Sequence, residues 1–431
     1  MPFEYRPAEP KKIAIIGSGI SGLGAAEALS GTHRVTLIEA EPRLGGHART
    51  IIAGKRGDQP VDTGFIVFNY ANYPNLAEMF ARLDVPVVES SMSFGASLGG
   101  GRMEYGLASL SALFAQRKNV TNPQFLRMIR DIFRFNARAS SSAHDRSQSL
   151  GDFLEALRVG PWFRDYYLLP LSGAIWSTPT EKILDFPAHA LVRFFENHAL
   201  LSTFGQHQWY TVAGGSAQYV RRLEVALRRA DVDIRLGTPV AGVRRGETGA
   251  ELRMEGCEWE HFDEVVFATH SDDTLALLAD ATPEEEAALG AIRYQPNRVV
   301  LHGDSGIMPK NRRVWSSWNY TEDAPGAMNA IDLTYWMNSL QPIPKDDLCF
   351  VTLNTTRPIR EDLIWDETVL RHPVYDLEAL AAQGDVAAMN GRNNTWFCGA
   401  WMKNGFHEDG LSSALDVAKA IQRRDRVSEA A

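Results

Sequence analysis

Cysteine, positive charge and long apolar segments are all scarce in this chain. Its 431 residues include three scattered cysteines, Cys257, Cys349 and Cys398, and its formal net charge is −9. Such cysteines exclude a disulfide framework and a CxxC metal or redox pair, and they are typical of a reducing cytoplasm. The negative charge argues against nucleic acid as a partner. Because no segment has the length and apolar character of a transmembrane helix, we expect a cytoplasmic protein.

The remaining composition is that of a globular protein, with 45% hydrophobic and 23% charged residues. A chain of this length exceeds one ordinary hydrophobic core, which predicts two intertwined domains. The 10 tryptophans, 12 tyrosines and 20 phenylalanines favour an apolar pocket, although most of these rings must belong to the core.

A glycine-rich turn organises residues 11–39. The short apolar run at 13–16 predicts a buried parallel strand, and residues 23–29 predict a helix. Between them lies a GxGxxG pattern, formed by Gly17, Gly19 and Gly22. These glycines permit a tight turn, close approach of the backbone to a pyrophosphate, and close packing of helix on strand. The helix N-terminus then faces the phosphates. The pattern therefore predicts a dinucleotide site.

Glu39 ends the next predicted strand, 35–38, where its carboxylate can accept a hydrogen bond from a ribose 2′-hydroxyl and would repel a 2′-phosphate. The alternative for this segment is a signal peptide or membrane span, because Lys11 and Lys12 precede a run of small and apolar residues. The glycines, serines and Glu27 in that run, and the absence of a suitable cleavage site, favour the dinucleotide site.

A second glycine pair, Gly45-Gly46, follows the ribose-binding strand, and Val61 to Asn69 predict a further strand. Together with Glu39 and the Asp62-Thr63-Gly64 triplet, this pattern resembles the FAD-dependent amine oxidase superfamily, which includes monoamine and polyamine oxidases and carotenoid desaturases. His47 stands where that family usually has arginine. A charged contact to phosphate would then have to come from Arg43 or Arg49.

The resemblance implies an α/β fold, with an FAD-binding Rossmann-type domain of the GR2, amine-oxidase-like kind and an inserted α+β substrate domain. The FAD-binding domain is expected to comprise residues 1–75, 206–290 and 391–431. A helical substrate lobe is expected at 76–205, and a substrate domain built on an antiparallel sheet at 291–390. The further cofactor contacts that the resemblance implies are Ile20, Ser21, Ala40, Thr63, Gly64, Phe65, Val240, Ala268, Thr269, Gly399 and Ala400.

The C-terminal motif implies how the flavin ring is held. A helix starting near Gly410 would direct the N–H groups of Gly410 and Leu411 at the pyrimidine edge of reduced flavin and stabilise its negative charge. Asp409 or Ser412 could alternatively cap that helix. Cys398 is predicted to lie in the preceding strand, so we expect noncovalent FAD. No residue cluster predicts a metal site.

The GFHEDG segment, 405–410, resembles a bacterial subgroup associated with methylation or cyclopropanation of unsaturated acyl chains and with furan fatty acid formation. This implies an oxidoreductase that desaturates an unsaturated or methylated fatty-acyl chain. His407 and Glu408 are the expected proton acceptors, and hydrogen bonding within the loop is the alternative for His407. Where amine oxidases carry a lysine beside flavin N5, this chain has Asn297 or Arg298, which makes amine oxidation less expected.

Aromatic residues of the later segments are expected to line the substrate pocket, and cross-strand packing is their alternative role. They are Trp176, Trp318, Tyr320, Tyr335, Trp336 and Phe406. An amine or amino-acid oxidase of the same superfamily is the second hypothesis. A non-catalytic flavin-binding protein is the third, and no feature favours it.

Residues 125–138 predict a basic amphipathic helix. Its arginines, at helical spacing, are Arg127, Arg130, Arg134 and Arg138. Such a helix can lie on an anionic membrane, which would suit a fatty-acyl or phospholipid substrate and a peripheral position on the inner membrane face. A solvated face of the lobe is the alternative. The sequence leaves the oligomeric state open and is compatible with a homodimer.

Overall fold

The structure is a computed structural model that describes residues 9–145, 147–176, 183–197, 200–201, 207–323 and 332–430. For Trp176, Asn197 and residues 427–430 it describes only the backbone. A five-stranded parallel sheet lies at its centre, in the spatial order Asp233–Arg235, Arg34–Ile38, Lys12–Ile16, Glu264–Phe267 and Thr395–Phe397. Residues 13–16 are buried because both faces of the sheet are covered, as is usual for parallel strands.

Helices cover one face of this sheet and a mixture of helix and sheet covers the other. On the first face, apolar residues of three helices pack on Ile13 and Ile15; the helices are Ile20–Ser30, Ala217–Arg229 and His407–Ala430. On the second face lie an antiparallel sheet and two helices, which pack on Ala14 and Ile16. The strands are Val240–Gly246, Gly249–Met254 and Trp259–Phe262, and the helices are Pro283–Gly290 and Leu377–Met389.

A larger, seven-stranded sheet forms the floor of the second lobe. Its spatial order is Ile364–Val374, Arg293–His302, Phe350–Leu353, Leu333–Trp336, Trp318–Glu322, Phe94–Leu98 and Met103–Gly106. Its neighbours are antiparallel except for Trp318–Glu322 beside Phe94–Leu98. The last two strands come from the segment expected to be a helical lobe. The floor is therefore not formed by residues 291–390 alone.

Two small sheets and further helices connect the lobes. The small sheets pair Thr50–Ala53 with Gln59–Asp62, and Val67–Phe68 and Val87–Ser90 with Trp209–Val212. The remaining α-helices in the described ranges are Pro74–Arg82, Leu110–Leu113, Pro123–Ser142, Leu150–Leu157, Pro161–Phe163, Leu169–Trp176, Ala188–Asn197, Ser271–Leu277 and Met337–Leu340. Within those ranges, no helix combines the length and apolarity that a membrane crossing requires.

Two local predictions differ from the structure. The strand expected from Val61 to Asn69 is two strands, Gln59–Asp62 and Val67–Phe68. Between them the backbone at Gly64 passes so close to His47 that a Cβ there would lie 2.0 Å from the His47 carbonyl oxygen. The last helix begins at His407, three residues before the expected start at Gly410. Asp409 accepts a hydrogen bond from the Phe406 N–H at 3.0 Å and so caps this earlier start.

Candidate functional site

A cavity of about 1230 Å³ connects the two lobes. It extends from Glu39, at the carboxyl end of a parallel strand, past the glycine turns to Trp318 and Tyr335 on the seven-stranded sheet. Ligands of open parallel sheets bind at this end of the strands. The first part, which we call the dinucleotide arm, carries the predicted cofactor residues, and the second part, the substrate arm, enters the second lobe.

The glycine turn of the dinucleotide arm has the shape that a pyrophosphate needs. Gly17 adopts a positive φ of 97°, and a Cβ on Gly22 would lie 1.8 Å from the Gly17 carbonyl oxygen. A Cβ on Gly19, in contrast, would meet nothing within 4 Å, so this backbone faces open space. Ile20 and Ser21, in the first turn of the following helix, also line the cavity. The helix N-terminus can therefore receive phosphate oxygens.

Glu39 is held in place by its own neighbours. Its Oε2 accepts hydrogen bonds from the Ser18 N–H at 2.7 Å and the Ser18 hydroxyl at 2.6 Å, and its Oε1 accepts one from the Glu41 N–H at 2.8 Å. A carboxylate can accept about four hydrogen bonds, so Glu39 retains capacity for ribose hydroxyls. Ser18 also lines the cavity and was not among the predicted residues.

Neither arginine near the second glycine turn faces the cavity. Arg43 donates to the Gly46 carbonyl at 2.9 Å and pairs with Glu41, while Arg49 forms a two-pronged ion pair with Asp366 at 2.6 and 3.0 Å. Both guanidinium groups stabilise the turn and its neighbours. His47 lines the cavity instead. The suggestion that Arg43 or Arg49 replaces the family's arginine at the phosphates is therefore not supported by their positions.

Three histidines from distant segments converge beside this turn. The ring of His47 lies 5.8 Å from that of His270 and 5.7 Å from that of His372, and His270 stacks on Tyr294 at 4.3 Å. Burial lowers the pKa of His47 and lowers those of His270 and His372 to about 3. These imidazoles are thus neutral near pH 7. Sequence reasoning found only His47, because no local pattern brings residues 270 and 372 together.

Asn297 does not line the cavity but fixes the tautomer of His372. The Arg298 N–H donates to Asn354 Oδ1 at 2.9 Å, so Asn354 Nδ2 must be the donor to Asn297 Oδ1 at 2.6 Å. Asn297 Nδ2 then donates to the Gln295 carbonyl at 3.2 Å and to His372 Nδ1 at 2.8 Å. A neutral imidazole that accepts at Nδ1 carries its proton on Nε2. Asn297 is accordingly a positioning residue rather than a group in the cavity.

Glu408 has a structural position that contradicts its expected role as proton acceptor. Its buried carboxylate accepts hydrogen bonds from the Asn75 N–H at 3.1 Å and the Leu76 N–H at 3.0 Å, and a third from the Asn75 side chain. These are first-turn N–H groups of the helix Pro74–Arg82, which Glu408 therefore caps. The carboxylate is absent from the cavity lining.

His407 does line the cavity and remains a candidate proton acceptor. Its ring stacks on Phe65 at 3.9 Å, and its Nε2 lies 2.6 Å from the Tyr219 hydroxyl. Burial lowers the pKa of His407 to about 3. The side chain is thus neutral and is connected to a second proton-carrying group.

The C-terminal motif packs its helix on the helix Ile20–Ser30 of the same domain more than it faces the cavity. The Gly410 N–H donates to the Phe406 carbonyl at 3.1 Å, and a Cβ on Gly410 would lie 2.8 Å from Ile20 and 2.9 Å from Ser21. Leu411 packs against Gly24 in the first helix. The free N–H groups at the helix start are consequently those of residues 407–409, not those of Gly410 and Leu411. Burial raises the pKa of Asp409 to about 6.

The structure places the other predicted cofactor residues as follows. In the lining are Gly17, Gly19, Ile20, Ser21, Glu39, Ala40, Gly46, His47, Gly64, Phe65, Val240, Ala268, Thr269, Gly399 and Ala400. Behind the lining are Gly22, Arg43, Gly45, Thr63, Asp409, Gly410 and Leu411. Those behind it shape the turns and helix contacts on which the lining depends.

The substrate arm contains three of the six predicted aromatic residues: Trp318, Tyr335 and Phe406. Trp336 points to the opposite face of its strand, where it packs on Trp315, because successive residues of a strand alternate. Tyr320 is buried outside the lining. The Trp176 side chain lies outside the described residues. Lining residues of the arm that the sequence did not single out include Phe94, Leu107, Tyr167, Leu171, Phe194 and Trp209.

Comparison with known proteins decides the family. The family model for flavin containing amine oxidoreductases matches residues 20–329. The chain belongs to this family. FAD is therefore the cofactor of this flavin oxidoreductase, and the glycine cradle, Glu39 and the long dinucleotide arm fit it.

Sequence relatives match this flavin oxidoreductase over short stretches. An L-amino-acid oxidase from Gloydius blomhoffii is 49% identical over 51 residues, covering 12% of this chain and 10% of that protein. A carotenoid phi-ring synthase from Chlorobaculum tepidum is 43% identical over 74 residues, covering 17% of this chain and 11% of that protein. The chain thus matches about a tenth of the length of these curated relatives.

Solved structures match over nearly the whole chain and confirm the α/β fold. A CLA-producing fatty acid isomerase from P. acnes has a TM-score of 0.68 at 16% identity, covering 96% of this chain and 99% of that chain. Cyclohexylamine oxidase from Brevibacterium oxydans IH-35A has a TM-score of 0.67 at 16% identity, with 96% and 100% covered. At such identities the likeness concerns the fold alone.

Proposed function

We propose that this flavin oxidoreductase removes two hydrogens from a long, apolar acyl chain, at a carbon next to an existing double bond or methyl branch. The main support for this proposal is the apolar lining of the substrate arm. Among the described residues, its walls are mainly aromatic and aliphatic, with neutral polar groups such as Ser91 and Ser93, and include no Asp, Glu, Lys or Arg. The described groups with charge in the cavity lining are Glu39, Glu41, Asp273 and Arg371. They lie with the dinucleotide arm and the histidine cluster.

A charged substrate would lack a partner in this arm. Burying an ammonium or carboxylate without a partner is costly, whereas a hydrocarbon gains free energy from the same surroundings. The guanidinium of Arg371 could in principle bind a substrate carboxylate. It is already paired with Asp272, at 2.6 Å, and with Asp273. The charge of Arg371 is thus balanced within the protein.

FAD, when bound along the dinucleotide arm, would supply a two-electron acceptor for a hydride. The apolar walls of the substrate arm limit the access of water, so that water does not capture the cationic acyl carbon before it loses a proton. An allylic or branched position stabilises that cationic carbon. The proton next to such a carbon is strongly acidic, so the weakly basic imidazole of His407 suffices to accept it. The Tyr219 hydroxyl, 2.6 Å from His407 Nε2, connects this imidazole to the protein interior.

Anaerobic bleaching of the FAD-loaded protein tests the proposal. Unsaturated and methyl-branched acyl chains should reduce the flavin, and saturated chains, polyamines and amino acids should not. Trp318→Ala should alter the preference for chain length because it enlarges the substrate arm. Trp315→Ala is the matched control, since this ring packs against Trp336 and Phe350 outside the cavity. Reduction by amines or amino acids alone would overturn the proposal.

Amine or amino-acid oxidation is the second candidate. Trp318 and Tyr335 meet edge to face at 5.7 Å in the substrate arm, and aromatic faces can bind an ammonium group. The matched stretches of L-amino-acid oxidases support the same candidate. The same panel of compounds separates the two, because only this candidate predicts bleaching by an amine or an amino acid.

A further inference from the structure

Exposed apolar side chains gather at one mouth of the substrate arm. Leu107 and Ala108 line the cavity and are also exposed, so the cavity opens to solvent at this point. Leu110, two residues further, is 76% exposed. Scattered single exposed apolar residues are ordinary on proteins, whereas a group of them beside an opening marks an interaction site.

The long helix Pro123–Ser142 lies next to this mouth. Phe114, directly after the helix Leu110–Leu113, packs on Phe125 with ring centres 6.0 Å apart. The helix carries two more exposed apolar residues, Leu126 at 44% and Phe133 at 53%. The contact between Phe114 and Phe125 lies on the buried side of the helix and makes the mouth and the helix neighbours, and we call their exposed side chains together the mouth face. It comprises Leu107, Leu110, Leu126, Phe133 and the four arginines Arg127, Arg130, Arg134 and Arg138.

The helix separates apolar and basic residues on its solvent side. At about 100° per residue, Leu126, Phe133 and Ala137 fall within an arc of roughly 40°. The four arginines follow on one flank of that arc, within about the next 100°. Phe125, Met128, Phe135 and Ala139 occupy the opposite, buried side. This is the arrangement of helices that lie in a lipid interface.

The positive charge of the mouth face favours an anionic partner. Residues 107–142 contain six basic residues and one acidic residue, in a chain whose net charge is −9. The acidic residue, Asp131, is buried; it pairs with Arg130 at 2.8 Å and accepts the Gly160 N–H at 2.9 Å. Arg134 donates to the Arg158 carbonyl and keeps its charge. The mouth face is thus locally cationic and apolar on a protein that is otherwise acidic.

We infer that the mouth face docks on an anionic phospholipid bilayer, with Leu110, Leu126 and Phe133 in the interface and the arginines at the headgroups. This places the opening at Leu107 against the lipid, so that an acyl chain can enter the substrate arm without crossing water. Docking depends on the mouth face alone. Its use for acyl entry rests on the proposed function.

Vesicle flotation of the FAD-loaded protein tests docking. The wild type should float with phosphatidylglycerol–phosphatidylcholine vesicles at low salt, and it should float less at high salt and with phosphatidylcholine alone. Arg127→Glu with Arg138→Glu should weaken binding at least tenfold, because each basic residue near an anionic surface strengthens binding roughly fivefold. Leu110→Ser with Phe133→Ser should weaken it under both salt conditions. Val369→Ser with Leu377→Ser, exposed apolar residues elsewhere in the chain, is the matched control and should bind as wild type.

Several results would overturn the inference. They are a wild type that never floats on anionic vesicles, equal flotation on uncharged vesicles, or control variants that bind as weakly as the mouth variants. A dimer in size-exclusion chromatography that the mouth variants dissociate would assign the face to a second copy instead. Acyl chains dispersed in cyclodextrin need no membrane. The two double variants of the mouth face, Arg127→Glu with Arg138→Glu and Leu110→Ser with Phe133→Ser, should therefore show unchanged flavin reduction by such chains. If no acyl compound reduces the flavin while flotation behaves as expected, the proposed function fails and docking stands.

Discussion

Replacing Glu408 by alanine separates a capping role from a catalytic one. The variant leaves the Asn75 and Leu76 N–H groups, at the start of Pro74–Arg82, without their acceptor. A hydrogen bond to a charged group contributes roughly 1.5–3 kcal/mol, and a lost helix cap costs about 1 kcal/mol. Because bonds to one carboxylate are not additive, we expect the free energy of unfolding to fall by roughly 2–4 kcal/mol.

Two assays on the Glu408→Ala variant distinguish the two roles. Urea unfolding followed by tryptophan fluorescence should show the loss of stability, and the anaerobic rate of flavin reduction, normalised to bound FAD, should change little. Glu285→Ala is a matched control, since Glu285 completes a capping box with Thr282 in another helix. A proton acceptor typically contributes a factor of about 10²–10⁴ to the rate. A rate loss of that size with unchanged stability would refute the capping assignment.

Three further predictions concern the cofactor and the histidines. Glu39→Ala should weaken FAD binding by ten- to hundredfold, because it removes roughly 1.5–3 kcal/mol of charge-assisted hydrogen bonds. Fluorescence titration of the apoprotein with FAD measures this, and a wild-type affinity would contradict it. Asn297→Asp should move the His372 proton to Nδ1 and raise the pKa of His372, because a carboxylate accepts a hydrogen bond where the amide donated one. ¹⁵N NMR of labelled histidine reports the tautomer, and an unchanged His372 tautomer would contradict the positioning role of Asn297. Burial lowers the folded-state pKa values of three histidines to about 3; they are His270, His372 and His407. Their contribution to the free energy of unfolding is therefore present above pH 6.5 and is lost as the pH falls from there toward 3, because the unfolded chain binds protons first. Urea midpoints measured between pH 7.5 and pH 5 should therefore fall, and midpoints that rise with acidification would contradict the buried, neutral histidines.

Local sequence patterns predicted the secondary structure around the dinucleotide arm. The strand, turn and helix around Gly17 depend on neighbouring residues, so their spacing alone indicated the structure. Glu39 follows from the same pattern, since the strand that it ends lies beside the first one. The family resemblance added the second glycine turn and the C-terminal motif. The α/β fold was confirmed throughout these segments.

Contacts between distant segments could not be predicted. The carboxylate of Glu408 reaches Asn75, more than three hundred residues away in the sequence, and no local pattern distinguishes that contact from a site facing the cavity. Asn297 meets His372 only because their strands pair in the large sheet. The early start of the last helix could have been found, because Asp409 stands three residues after Phe406, the spacing of a capping interaction.

A single anaerobic turnover with mass spectrometry of the lipid tests the proposed acyl desaturation. FAD-loaded protein is mixed with an equimolar methyl-branched, unsaturated acyl substrate, and the flavin spectrum and acyl mass are recorded together. For each flavin that is reduced, we expect one acyl chain to have lost two hydrogens, with the new double bond conjugated to the old one. Flavin that stays oxidised with every acyl chain, or that is reduced by an amine without any change in acyl mass, would contradict acyl desaturation.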